Sequence, residues 1–125
     1  MAIAKKGRRR IVVGTREFLW WVRAGWENYN APGAATLTVA TDDRRILLGY
    51  VLNQDEKTRH VTVLGPEFRG TTQNGPTRRF RCPMFGLTDE IRPSHVAELI
   101  TWCTDPGPLP EHTDWRGHAI AASRT

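Results

Sequence analysis

Residues 11–23, IVVGTREFLWWVR, decide how the chain folds. Ile11 to Val13 is β-branched, Gly14-Thr15 is a turn pair, and the run that follows alternates with a period of two. That period sends Phe18, Trp20 and Val22 to one face and Leu19, Trp21 and Arg23 to the other. The stretch predicts a β-hairpin with an indole on each side, so one of the two tryptophans needs cover that the main core does not supply.

Downstream of the hairpin the strand signal repeats. Residues 27–35 collect Asn, Pro and Gly and predict a loop. Thr36 to Thr41 alternates, with Leu37 and Val39 inward and Thr36, Thr38 and Ala40 opposite, and Asp42-Asp43 makes the next turn. Ile46 to Leu52, ILLGYVL, is apolar almost throughout, which predicts a central strand covered on both faces with Gly49 at a bulge or a close backbone approach. Arg59 to Leu64 alternates again, with Val61 and Val63 in and His60 and Thr62 out. Residues 65–77, GPEFRGTTQNGPT, predict an irregular connection or a loose hairpin tip. Arg78 to Met84 returns as a strand, with Phe80, Cys82 and Met84 on one face and Arg79 and Arg81 on the other.

One helix is expected. Pro93 suits a first helical position, and Val96, Leu99, Ile100 and Cys103 recur at i, i+3, i+4 and i+7 as an apolar stripe that must lie on the sheet. Arg92 is a poor cap, but Asp89 and Glu90 just upstream complement the helix dipole. The expected fold is therefore α+β: an antiparallel meander sheet of five to six strands with one main C-terminal helix packed on one face. A basic arm, residues 1–7, precedes the single domain, 8–104. An extended segment, 105–125, follows it, fraying beyond Arg116 and docking through Leu109 and Trp115 if at all.

With 125 residues, 39% of them hydrophobic, the chain can bury one core but not two. No apolar run approaches the ~20 residues of a membrane-spanning helix. The start, MAIAKKGRRR, lacks the apolar stretch of a secretory signal, so the expected compartment is the cytoplasm. Cys82 and Cys103 are expected as reduced, half-buried thiols, with a single disulfide between them as the alternative.

Catalytic chemistry is not legible. Cys82, Cys103, His112 and His118 are too widely spaced for a zinc site, which usually brings its ligands in close pairs, so no metal is expected. The acidic pairs Asp42-Asp43, Asp55-Glu56 and Asp89-Glu90 read as solvated turns rather than converging acid and base. Phosphate-cradling and nucleophile motifs are absent from the sequence. No catalytic residue and no cofactor is expected, and an enzyme using residues 65–77 as a lid rests on loop length alone.

Partners are suggested by two features. Lys5, Lys6, Arg8, Arg9, Arg10, Arg16 and Arg23, against Glu17 and Glu27, account for the whole net charge of +5. The five tryptophans are Trp20, Trp21, Trp26, Trp102 and Trp115, and tryptophan beside arginine is the composition of interface hot spots. The leading expectation is a non-catalytic domain that binds another protein, or itself, through a sheet face bearing Trp21, Arg23, Trp26 and Arg16. Against it stands plain burial of Trp21 under Leu109 and Trp115. The alternative is nucleic-acid binding led by Lys5, Lys6, Arg8, Arg9 and Arg10, with Arg79 and Arg81 as a second contact. Basic termini that serve only solubility are the bland counterpart.

The run RRRIVVGTREFLWWVR, followed by IRPSHVAELITWC, resembles a pattern in small uncharacterised bacterial proteins: a hairpin with a Trp-rich second strand, a meander and a Pro-initiated helix. The resemblance implies a compact sheet-plus-helix fold in a bacterial cytoplasm. It carries no activity, ligand or site residue to transfer.

Overall fold

A computed structural model describes residues 8–25, 34–52, 54–72, 77–86 and 91–120. In it β1 (Arg9–Val13) and β2 (Arg16–Gly25) form the expected hairpin, with Val13 opposite Arg16 and Arg9 opposite Trp20. Gly14 takes φ +66° and Thr15 stays out of the left-handed region. This is the type II′ pattern, whose twist matches that of the strands it joins.

From the hairpin the sheet grows mostly by neighbours. β3 (Ala34–Ala40), β4 (Leu47–Val51), β5 (His60–Val63) and β8 (Arg78–Arg81) follow in the order β1-β2-β3-β4-β5-β8, every pair antiparallel. Phe18 and Trp20 share the inner face with Leu37, Val39, Leu48, Tyr50, Val61, Val63 and Phe80, all buried. α1 (Pro93–Thr104) lays Val96, Leu99, Ile100 and Cys103 into the same core, as its spacing predicts. The weak cap at Arg92 is assisted from inside the helix, where His95 Nδ1 accepts the Arg92 backbone N–H at 3.0 Å. Asp89 and Glu90 lie outside the described residues.

The connection between β5 and β8 contains a small hairpin, β6 (Glu67–Phe68) and β7 (Thr71–Thr72). Phe68 stacks on Phe80 with ring centres 4.7 Å apart and meets Trp102 edge-on at 5.9 Å, so it joins sheet to helix. Arg69 completes the helix end. Its backbone N–H donates to the Cys103 carbonyl at 2.7 Å and its guanidinium to the Trp102 carbonyl at 2.7 Å. A cation from a distant loop thus supplies the charge that the last turn of α1 lacks. Arg69→Ala is expected to cost about 1–2 kcal/mol, read as a shift in the urea midpoint without a change in slope.

Four expectations are corrected. β4 is not covered on both faces: its burial alternates strictly, and Gly49 sits in register between Thr38 and Thr62 with no bulge. β8 ends at Arg81, so Met84 is exposed and Phe85 turns into the core beside Tyr50, whose hydroxyl accepts the Phe85 N–H at 3.1 Å. Leu109 and Trp115 remain about half exposed. The C-terminal segment attaches by backbone instead: Arg81 N–H donates to the Glu111 carbonyl and Thr113 N–H to the Arg79 carbonyl. Nor does the chain fray at Arg116, because Thr113 pairs with Ala119 and Gly117 is buried. An edge strand offers unpaired donors and acceptors, and these capture a polar segment that hydrophobicity alone would leave loose.

Candidate functional site

Since the helix covers only the inner face, the alternate residues of every strand form an outer face, and the registers arrange them in rows. The longest runs Trp21, Thr38, Gly49, Thr62, Arg79. Arg8, one residue before β1, extends it by laying its guanidinium 4.6 Å from the Trp21 ring centre, a cation–π contact. Leu19, Ala40 and Leu47 form the row on one side, Arg23, Thr36 and Val51 the row on the other. Trp21, Thr36, Thr38, Gly49, Val51 and Thr62 are each half-buried, so no described element lies over the middle of this face. Among the described residues, a Cβ added at Gly49 would meet only the Thr36 methyl, at 4.0 Å, so the centre of the track is low.

The rows settle where the expected site residues stand. Trp21 and Arg23 are two apart on β2 and share the outer face. Trp26 lies outside the described residues. Arg16 belongs to the opposite face, in line with Phe18 and Trp20. There it donates to Glu67 at 2.9 Å and packs over the Phe18 ring, so it does not join Trp21 and Arg23. The error follows from period two, which puts Arg16 and Arg23 seven residues apart and therefore on opposite sides. Glu67 also receives Arg45, and the Arg16 hydrogen bond first among these contacts holds its carboxyl below the ordinary range.

The cations of the alternative site are equally divided. Lys5 and Lys6 lie outside the described residues. Arg9 faces inward over Trp20, while Arg10 pairs with Glu17 on the outer face at 2.9 Å. Arg79 and Arg81 do share the outer face of β8. Arg81, however, holds the C-terminal segment, donating to Glu111 Oε1, the Lys57 carbonyl and the Gly117 carbonyl. Five strand spacings, about 24 Å, separate the arginines of β1 from those of β8.

His60, expected to face out, does so and is nevertheless buried, because the turn after Thr113 folds Gly117 over it. Its Nδ1 lies 2.8 Å from the Thr58 carbonyl, which can only accept, so Nδ1 carries a proton and donates. Burial, the largest influence, lowers its pKa from 6.5, opposed by that hydrogen bond; Arg79 and Arg81 push the same way as burial and Asp114 against it. An unfolded chain then binds a proton that the folded one refuses. Stability is expected to be full above about pH 6.5 and to fall below it, more steeply than in His60→Gln, as read by thermal melts at about pH 5 and pH 7.5.

Reactive chemistry is sparse among the described residues. Burial pushes the Cys82 thiol up to about 12 and Cys103 well above its ordinary value, and the two are not bonded to each other. Neither is an available nucleophile. No three of the described His, Cys, Asp and Glu residues converge as metal ligands. A cleft of about 140 Å³ lies between Arg10, Glu17, Phe18, Leu19 and Asp42, and a wider, shallower depression of about 350 Å³ between Arg16, Glu17, Thr41, Asp42 and Asp43. No described helix is long and apolar enough to cross a membrane.

Sequence reasoning missed the partnership of Arg8 with Trp21. The signal was present, because a two-residue turn at Gly14-Thr15 fixes the register that sets these two side by side. Compared with known proteins, the chain matches no family model, no curated protein and no solved structure.

Proposed function

We propose that the chain is a non-catalytic docking domain that binds an acidic protein surface through its outer sheet face. The observation that carries this reading is the corner where Arg8 stacks on half-buried Trp21 beside Arg23, at the head of a low track of small residues. Glu17 is the one carboxylate at the outward strand positions described, and Arg10 already neutralises it. A partner presenting carboxylates around an apolar contact would bury Trp21 and meet the Arg8 guanidinium stacked on it, the pattern of an interface hot spot. Trp21 is a poorer platform for nucleic-acid bases, since Arg8 occupies a ring face that stacking requires.

A photo-crosslinking side chain at Thr38 tests the reading in the native host. Crosslinks to an acidic protein, resistant to nuclease and lost in Trp21→Ala, are the expected result; crosslinks to RNA or DNA would transfer the site to the alternative. Trp21→Ala is expected to weaken the captured complex by about 30-fold, or 2 kcal/mol, measured by calorimetry. The fold should be retained, since the ring lies outside the main core.

A further inference from the structure

Among the described residues, one edge of the sheet is capped and the other is not. β8 is capped by residues 111–113, whereas β1 pairs, among the described residues, with β2 alone. The two-residue loop makes Val13 and Arg16 a hydrogen-bonded pair. Ladder alternation then turns the backbone groups of Arg9 and Ile11 toward β2 and those of Arg10 and Val12 away from it. Val12 is also 65% exposed, the most exposed large apolar side chain described.

We infer that a second copy of this chain docks on β1, antiparallel about a two-fold axis through Ile11, joining two six-stranded sheets into one. Outward-facing backbone must meet outward-facing backbone, which limits the registers. An axis at Arg10 sets like charges directly opposite each other, and an axis at Val12 leaves only three residues of each β1 overlapping. With the axis at Ile11 the whole of β1 overlaps, and Arg10 lies opposite Val12 of the second copy, forming four backbone hydrogen bonds between the chains.

Charge selects the occupant. In this register Arg9 and Arg10 of each chain lie against Val13 and Val12 of the other, so the basic half of one strand meets the apolar half of its mate. The row Leu19, Arg10 continues into Val12 and Glu17 of the second copy, which offers Arg10 another carboxylate beside its own Glu17. A strand rich in carboxylates from elsewhere would pair the arginines but repel Glu17 and give Val12 no apolar contact. Such an edge-to-edge interface is small, which places the dimer in the weak, concentration-dependent class. The association is separate from the acidic-partner reading, because it uses the edge of the sheet and not the track.

The test is sedimentation equilibrium of the full chain from about 1 to 500 µM, with amide exchange followed by NMR at both ends of the range. A monomer–dimer equilibrium is expected, with the Arg10 and Val12 amides slowing as dimer forms and the Ile11 amide slow throughout. Val12→Pro removes an outward N–H that the hairpin does not use. Val12→Arg leaves the backbone intact and sets like charges opposite each other twice per dimer, so it remains informative if the proline variant does not fold. Each should raise the dimer Kd by about tenfold or more, while Trp21→Ala leaves it unchanged. A monomer at every concentration, a dimer indifferent to both Val12 variants, or Arg10 and Val12 amides that stay fast in the dimer would each overturn the inference.

Discussion

Gly117→Ala is expected to unseat the C-terminal hairpin from the sheet. Gly117 holds φ +86°, and a methyl group there would collide with the Thr58 carbonyl oxygen and stand 2.8 Å from His60 Nδ1. Backbone and a buried ring cannot yield as a flexible side chain would, so residues 111–120 must move. With them go the two backbone bonds to β8, at 2.8 and 2.9 Å, and the Arg81 contact with the Gly117 carbonyl. Lost pairing and left-handed strain together are expected to cost about 3 kcal/mol or more. Exposed to water, His60 would titrate near its ordinary value, and the acid sensitivity assigned to it would shrink. Proteolysis between residues 105 and 120, with fast exchange of the Arg81 amide, checks the outcome; an unchanged Tm with Arg81 still protected would refute this packing.

Phe68→Ala is expected to be the most damaging single truncation outside the strands of the main sheet. Phe68 is 1% exposed and is held between Phe80 of the sheet and Trp102 of the helix. Removing a buried ring costs about 3–5 kcal/mol. The loss extends further here, because Phe68 anchors the loop from which Arg69 caps α1. Phe68→Leu retains most of the volume and should cost about 1–2 kcal/mol. Urea unfolding separates these values, and near-equal midpoints for the two variants would show that the ring stack does not couple helix to sheet.

Periodicity made the inner architecture legible. Phe18 with Trp20, Leu37 with Val39, Val61 with Val63 and the helix stripe from Val96 to Cys103 all follow from spacing, because each faces one large apolar surface. Features decided by backbone groups or by distant partners were not legible. Arg81 reads as a free surface cation, yet it is spent on carbonyls from residues 57 and 117. His60 occupies an outward position and becomes buried only because a glycine far along the chain can approach it. The candidate site was half legible: alternation places Trp21 with Arg23, but the track through Thr38, Gly49 and Thr62 needs registers across four strand pairs. ILLGYVL misled because continuous hydrophobicity also suits a strand whose outer side meets solvent through Leu47, Gly49 and Val51, all half-buried.

The order β1-β2-β3-β4-β5 is also the order of synthesis. Each of these strands can therefore zip onto one made moments earlier, which keeps loop closure short and favours rapid assembly. The helix that shields the apolar side comes last, at Pro93–Thr104. A nascent chain stalled on the ribosome before that point would display Leu37, Val39, Leu48 and Val61 unshielded, so the risk of aggregation is concentrated in translation rather than in the finished protein.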